Sequence, residues 1–576
     1  MEKRWSIKPK ADDKITERLA EELGIDKVLA NLLVQREVKT FDEAKKFFRP
    51  SLDDLHDPFL MKDMDKAIVR IETAIKNKEK ILVYGDYDVD GTTAVALVYS
   101  FFKKHHPNKE DENSSFIDFY IPDRYAEGYG ISFTGIDFAK ENNFTLIIAL
   151  DCGIKAIDKI AYANERNIDF IICDHHRPGD ELPEAVAVLD PKRSDCTYPF
   201  DELCGCGVGF KLIQAFSQKN NIPFEELYEY LDLTAISIAS DLVPAVDENR
   251  TLSYFGLKQI NEKPRKGIKA IFELANVKRE ITVNELVFIV GPRINAAGRI
   301  KTGRDAVDLL ISDCVDSAKT SGQNINITNA ERRALDVDIT AHALSMIEED
   351  AEMGSRKSTV LYHPDWHKGV VGIVASRMIE KHYRPTIILT ESNGKATGSA
   401  RSVKDFDVYN AIEACADLLE QFGGHKYAAG LTLKLENVEA FQQRFEEVVS
   451  ATIEEYMLVP EIEIDAELEL KNITPKFFRV LKQFAPFGPG NMSPLFITKN
   501  IIDKGYVRIV GANHLKMDLQ PAQNARASFP AIAFGQANHF DDVLRRKIFT
   551  AVYAIEENEY NGTTSLQLNI KDMKLE

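Results

Sequence analysis

An α/β fold is predicted for this chain: a mainly parallel catalytic sheet, a long connecting helix, a second and smaller α/β domain, and a C-terminal β-barrel. Three observations predict it. Apolar, β-branched runs alternate with helical patterns from Ile81 onward, which is how parallel sheets read. Residues 305–350 then contain no proline and a single glycine, the composition of a connecting helix or helix pair. From Val459 the pattern changes to short alternating strands separated by turn residues, which fits a small Greek-key barrel such as the OB-fold. At 576 residues the chain is too long for one core, so about three or four domains are expected.

Taken in order, residues 1–60 read as a charged helical segment closed by Pro50 and Pro58. Ala67, Ile68, Ile71, Ala74 and Ile75 recur at helical spacing and predict an amphipathic helix over Asp65–Asn77. The run Ile81–Gly85 follows as a buried strand; Asp86, Asp88 and Asp90 then alternate before Gly91 leads into a helix over Thr92–Phe102. Further strands are predicted at Phe116–Ile121, Phe144–Leu150, Phe170–Cys173 and Ala185–Leu189. They end respectively on Pro122–Gly130, on Asp151, on Asp174-His175-His176, and on Asp190-Pro191. Tyr228–Ser240 reads as a buried helix running into Asp241, and Leu286–Val290 as a strand before the turn-like Gly291–Arg299. In the second domain, strands are expected at Thr359–Tyr362 and Thr386–Leu389. Two glycine-containing turns are expected there as well, one holding Ser399 and Arg401, the other Gly424 and His425. Barrel strands are expected from Glu461–Leu470 to Thr564–Ile570.

Open α/β sheets place their ligand sites beyond the carboxyl ends of the strands. One acid there is ordinary, and a solvated turn explains it. A series of strands that all end in ionisable residues is a constructed site. Carboxylates packed together raise one another's pKa unless a cation sits among them. The candidate ligands are Asp86, Asp88, Asp90, Asp151, Asp174, His175, His176 and Asp241. Oxygen donors with one or two imidazoles suit Mn²⁺ or Mg²⁺, and two such ions activate a water and stabilise the attacking and leaving oxygens of a phosphoester displacement. Asp241 stands at a helix C-terminus, where the macrodipole disfavours an acid, so it asks for a cation of its own. Glycine turns with Arg, Ser and His suit phosphate binding.

The net charge of −18 by itself argues against a polyanionic partner, but local field and net charge are separate quantities. Seven cysteines without a paired spacing read as reduced thiols, and Cys204-Gly-Cys206 as packing. The opening residues lack the apolar core of a secretory leader and no run reaches membrane-spanning length, so a cytoplasmic protein is expected. No Gly-x4-Gly-Lys-Ser/Thr occurs, which argues against P-loop ATP chemistry.

Asp174-His175-His176 at a strand end, downstream of Asp88-Val-Asp90 and Asp151, resembles the DHH phosphoesterase superfamily. Within it the chain resembles the RecJ family of exonucleases specific for single-stranded DNA. The supporting segments are Gly85–Gly91, Pro122–Gly130, Gly291–Arg299, Trp366–Gly372, Gly423–Gly430 and Pro486-Phe-Gly-Pro-Gly-Asn491, in family order over nearly the whole chain. The resemblance implies 5′→3′ hydrolysis of single-stranded DNA to mononucleotides in repair and recombination, with two Mn²⁺ or Mg²⁺ ions. It implies Asp86, Asp88, Asp90, Asp151, His175 and Asp241 as metal ligands, Asp151 bridging, with His176 facing the phosphate and Asp174 orienting the loop. Ser399, Arg401, Gly424 and His425 would hold the 5′ end, and Arg124 and Arg299 would grip the strand near the scissile phosphate. Its implied domains are an N-terminal helical segment (1–60), a DHH catalytic domain (61–304), a connecting helix (305–352), a DHH-associated substrate-binding domain (353–455) and an OB-fold (456–576). A monomer is implied, with single-strand-binding protein and a RecQ-type helicase as partners and no membrane. Tyr84 stands where many superfamily members carry a histidine ligand, and Asp190-Pro191 where Asn-Pro is usual. The alternatives are a phosphoesterase of short oligonucleotides or cyclic dinucleotides, which would not need the barrel, and a non-catalytic single-strand-binding scaffold, which would have lost ligand acids.

Overall fold

The computed structural model describes residues 2–105, 116–350, 352–523, 527–560 and 562–575. The chain forms two compact units, one of residues 49–334 with 486–492, the other of residues 1–48, 335–485 and 493–576.

The first unit is built on a five-stranded sheet, every pairing parallel, in the order Ile117–Tyr120, Lys80–Gly85, Phe144–Leu150, Asp169–Cys173, Ala187–Leu189. Both faces are covered, which the alternation of side chains makes visible. Ile81, Val83, Ile148, Leu150 and Ile171 belong to one core, with the helices Val89–His105, Gly205–Lys219 and Leu231–Asp241. Leu82, Tyr84, Ile147, Ala149 and Ile172 belong to the other, with Phe133–Glu141 and Ile157–Asn164. Lys211 is wholly buried in this unit. Its ammonium lies 2.5 Å from Glu248 and donates to the His56 carbonyl and Gln214, while Glu248 also accepts from the Tyr198 hydroxyl and the His56 amide.

The second unit holds a five-stranded mixed sheet in the order Leu419–His425, Ala428–Lys434, Lys395–Arg401, Thr386–Ser392, Thr359–Tyr362. It also holds a seven-stranded sheet in which Phe496–Asp503 pairs with both Phe549–Tyr560 and His514–Pro521, closing it as a barrel. The helix Val315–Glu349 carries the chain from one unit into the other.

Several expectations are corrected. The N-terminal segment is not wholly helical, because Arg4–Ile7 pairs in parallel with Glu461–Ile464. Glu461–Leu470 is not one strand; it breaks into Glu461–Ile464, Ala466–Glu467 and a 3₁₀ turn at Leu470–Asn472. Leu286–Val290 is a π-helical turn and Gly291–Ile300 a helix, since a capping box between Thr282 and Glu285 starts a helix that the apolar run continues. A short apolar run does not by itself tell strand from buried helix. Tyr228–Ser240 is likewise divided between a 3₁₀ helix, Phe224–Tyr230, and the α-helix Leu231–Asp241. Finally, both glycine turns of the second domain are strands. Gly398 sits in the centre of Lys395–Arg401, where a Cβ would fall 2.0 Å from the Ile388 carbonyl oxygen, so the glycine serves close strand packing. Gly424 and His425 end the strand Leu419–His425.

Removing one partner of a buried ion pair strands the other charge. Lys211→Met is therefore expected to destabilise the first unit by about 3–5 kcal/mol, read as an earlier urea transition followed by tryptic resistance of its fragments. An unchanged transition would mean that the pair is dispensable.

Candidate metal centre

Register builds the site. Gly85 pairs with Leu150, Leu150 with Cys173, and Cys173 with Leu189, so four neighbouring strands end at one level. The next residue on each is Asp86, Asp151, Asp174 or Asp190, and all four are buried. Asp151 takes a left-handed backbone conformation (φ 58°), which Asp tolerates better than most residues, and its amide donates to the Cys173 carbonyl.

Asp90 lies in the first turn of Val89–His105 and is gripped from outside it. Its Oδ2 accepts from the Gly205 amide (2.7 Å), and its Oδ1 from the Cys206 amide (2.7 Å) and the Ser237 hydroxyl (2.6 Å). The N-terminus of helix Gly205–Lys219 thus points at a carboxylate. Only glycine fits at its first position, because a Cβ on Gly205 would lie 2.6 Å from the Asp151 Cβ. Cys204-Gly-Cys206 is therefore more than the packing expected of it. Both thiols are buried, but the segment's amides hold Asp90.

His175 Nε2 lies 3.2 Å from Asp151 and 3.6 Å from each of Asp90 and Asp241. Two sets of donor atoms converge: Asp151, His175 and His176; and Asp90, His175 and Asp241. Asp174 turns the other way. It accepts from the His175, His176 and Ile154 amides and from His176 Nδ1 (2.8 Å), so it shapes the loop and orients His176. The other nitrogen of His176 is 3.2 Å from the Tyr129 hydroxyl, which also reaches the Asp151 carbonyl. Asp86 and Asp88 adjoin the two sets without belonging to either. Asp88 accepts from the Gly91 amide at the start of its helix, and Asp86 lies 3.5 Å from the Gly130 amide. Tyr84 has become a brace: its buried hydroxyl donates to the Gly130 carbonyl and receives the Ser132 amide.

The electrostatics call for a cation. Burial and the neighbouring Asp90, Asp88 and Asp241 push the Asp151 carboxyl well up; burial and Asp88 do the same to Asp86. Asp88 is raised by burial and Asp90, and Asp241 rises to about 8 by burial together with Asp90 and Asp88. Asp190 rises to about 7, mainly by burial. Asp174 goes the other way, down to about 2. Burial opposes this, and the His176 bond and charge with the Ile154 amide overcome it. Burial also opposes the His176 shift, yet Asp174 lifts that ring to about 9. Neither ring nitrogen of the buried His175 makes a hydrogen bond, although carboxylate oxygens surround it, and Asp86 Oδ2 is likewise unsatisfied. An imidazole and acids so arranged fit a hard divalent ion such as Mn²⁺ or Mg²⁺.

Arg124 stacks on the Tyr87 ring (4.5 Å to the centroid), and the Arg299 carbonyl accepts from the Tyr125 hydroxyl. Gly298 lets the helix of Arg299 press on this loop, since its Cβ would lie 2.3 Å from the Tyr87 carbonyl oxygen. In the other unit, Arg401 and His425 both stand opposite Ala428, and Ser399 stands opposite Gly430, which faces Gly423. Gly424, at φ 146°, pairs with Ala429. A Cβ on Gly372, in the first turn of helix Val371–Lys381, would come within 3.1 Å of both Ser399 Oγ and Arg401 Nη2, so helix start, serine and arginine share one corner. Burial lowers the Arg401 pKa, and no ion pair of Arg401 occurs among the described residues.

Fold and site together define a metal-dependent phosphoesterase of the DHH class. Models of the DHH family N-terminal domain, the DHHA1 domain and the RecJ OB domain match residues 80–238, 356–451 and 464–572. The single-stranded-DNA-specific exonuclease RecJ of Bacillus subtilis (strain 168) is 37% identical over 574 residues, 99% of this chain and 70% of that protein. This chain belongs to the RecJ family. A structure of RecJ from Thermus thermophilus in complex with Mn²⁺ superposes with a TM-score of 0.83 at 25% identity, covering 99% of this chain and 79% of that one. A second structure of that protein, in complex with Mg²⁺, gives 0.77 at 24% identity over 99% and 78%.

The close approach of Gly205 and the crowding of acids each lead to a measurable outcome. Gly205→Ala is expected to weaken Mn²⁺ binding roughly tenfold or more, as loss of outer partners does at metal sites; isothermal titration measures it, and wild-type affinity would contradict the close approach. The second outcome concerns pH. Asp241 titrates near 3.8 when unfolded and about 8 when folded, so the folded chain holds the extra proton between these values and loses that stability as pH rises through them. His176, raised from 6.5 to about 9, acts in the same direction. In chelator the melting temperature should fall between pH 5.5 and pH 8, and the rise on adding Mn²⁺ should be larger at pH 8. A larger rise at pH 5.5 would refute this.

Proposed function

We infer that this chain is a metal-dependent exonuclease of single-stranded DNA. The observation that carries this reading is the pair of donor sets that share His175 at the carboxyl edge of the sheet, Asp151 with His176 and Asp90 with Asp241, in a chain of the RecJ family. The ligand set would be Asp86, Asp88, Asp90, Asp151, His175 and Asp241, with Asp151 its central carboxylate. When bound there, two divalent ions supply a water of lowered pKa and charge stabilisation for in-line displacement at a phosphodiester. The chain's own residues do the rest. The Gly205 and Cys206 amides and Ser237 hold the Asp90 carboxylate in place. Asp174 keeps His176 charged and turned toward the site, where it can donate to a phosphate oxygen. Arg124 and Arg299 would hold the strand beside it.

The terminal 5′ phosphate would be received in the other unit by Arg401, Ser399 and the first turn of Val371–Lys381, with Gly424 and His425 beside them. A half-buried arginine without a carboxylate partner among the described residues is the group an incoming phosphate needs. This supports 5′→3′ removal of mononucleotides, and with it a role in repair and recombination. The domains would be 1–60, 61–304, 305–352, 353–455 and 456–576, the last guiding the strand by backbone attraction and stacking. A cytoplasmic monomer working with single-strand-binding protein and a RecQ-type helicase completes the proposal. Among the described residues no helix is long and apolar enough to cross a membrane.

An oligodeoxynucleotide bearing a 5′ phosphate, labelled at either end and incubated with Mn²⁺, tests it beside duplex and RNA forms. The expected result is immediate release of 5′-labelled mononucleotide from the single strand, at least a thousandfold less from Asp151→Ala, roughly what loss of a central group of this kind costs. Arg401→Ala should raise KM for the phosphorylated strand far more than it lowers kcat. Cleavage confined to dinucleotides, or first release of the 3′ label, would overturn the reading.

A further inference from the structure

Pro486-Phe-Gly-Pro-Gly-Asn491 has no part in the chemistry above, yet it leaves the compact unit of its neighbours. Residues 335–485 and 493–576 belong to one unit, while 486–492 pack with residues 49–334. What the loop covers is the segment just past Asp241. The Ala245 amide donates to the Pro489 carbonyl at 2.7 Å, and Arg250 Nη1 donates to the Pro486 carbonyl at 3.3 Å. Gly488 abuts Ala245 so closely that a Cβ would lie 2.9 Å from the alanine's own. Gly490, at φ 73°, sits so close that a Cβ on it would lie 3.1 Å from Val246 Cγ1 and 3.6 Å from Pro244 Cβ. The loop is rigid in itself. Gly488 and Asn491 exchange both backbone hydrogen bonds, and the buried Asn491 amide donates to the Pro486 carbonyl.

Asp241 needs such a brace. It is the last residue of its helix, its side chain is 30% exposed, and Leu242 beyond it is in the left-handed region with its side chain in solvent. A carboxylate at a helix C-terminus is opposed by the macrodipole, so neither helix nor burial holds it in place. We propose that Pro486–Asn491 is a positioning loop that fixes Asp241 at the metal centre by clamping residues 244–246. The donor set is thus completed by a segment from the far C-terminal part of the chain, and residues 49–334 alone hold every ligand without the device that places one of them. The proposal rests on Asp241 being a metal ligand.

The test is Mn²⁺ binding to the full chain, read by electron paramagnetic resonance of free and bound ion, with no substrate present. Gly488→Ala should weaken binding of one Mn²⁺ roughly tenfold and raise the Mn²⁺ needed for half-maximal nuclease activity by the same factor. The melting temperature in chelator should stay near the wild-type value. Ala245→Gly in the same chain removes the opposing Cβ and should restore the affinity, and Asn491→Ala should shift it as Gly488→Ala does. Wild-type Mn²⁺ affinity in Gly488→Ala and Asn491→Ala would overturn the proposal, as would a loss that Ala245→Gly does not rescue. Asp241→Asn is the control: if it leaves Mn²⁺ binding unchanged, the ligand assignment has failed rather than the positioning role.

Discussion

Four strands that end at one level, each followed at once by an aspartate, impose the constraint on which this structure depends. Carboxylates removed from water and set side by side repel each other in a medium that screens them poorly. The chain meets that repulsion in two ways. Asp90 and Asp174 are satisfied by protein donors, the one by a helix N-terminus and Ser237, the other by three amides and His176. Asp86, Asp88, Asp151 and Asp241 are left with raised affinity for protons, which is to say raised affinity for any cation. Of the first group, Asp174 orients the loop, while Asp90 is both held by protein donors and a member of a converging donor set.

Glycine serves this plan by letting backbone approach where a side chain would collide. Gly205 admits a helix N-terminus to Asp151 and Asp90, and Gly372 admits another to Ser399 and Arg401. In both places a helix start, rich in unsatisfied N–H groups, meets a functional side chain. One start donates to the Asp90 carboxylate, the other adjoins an arginine that has no carboxylate partner among the described residues. The same element thus stands beside a carboxylate in one unit and beside an arginine in the other.

Much of this was legible in the sequence, for physical reasons that also set the limit. The sheet and its acids could be read because buried parallel strands are continuous apolar runs, and an aspartate ending such a run stands out, as at Leu150-Asp151 and Cys173-Asp174. Leu286–Val290 misled because the same apolar run suits a buried helix, and the deciding Thr282–Glu285 capping box lies outside it. The glycines beside Ser399 and His425 suggest bends, but in the structure they mark close strand packing. Nothing in the sequence singles out Tyr129 or Ser237. Each acts through one hydroxyl brought to the site by tertiary packing, and nothing in the neighbouring residues announces it. Gly205 did carry a signal, a glycine between two small buried residues after a polar loop, but its meaning depends on the Asp90 carboxylate it faces.

A net charge of −18 remains to be squared with a polyanionic substrate. Net charge sums over groups that a substrate never meets. The acids at the sheet edge are buried and committed to cations, so a loaded centre presents positive charge where the formal count shows negative. Arg401 is half-buried and without an ion pair among the described residues, and burial makes its charge act through a medium that screens it weakly. A single guanidinium so placed outweighs many solvated surface carboxylates, whose fields fade within about a Debye length of 8 Å at physiological salt. Binding of this kind should depend less steeply on salt than binding to an open basic face, because few phosphates are neutralised and the decisive contact is shielded from the bulk. Under the proposed function, an acidic body of this kind would still take a DNA end through its local cationic sites, because those sites, and not the net charge, meet the strand.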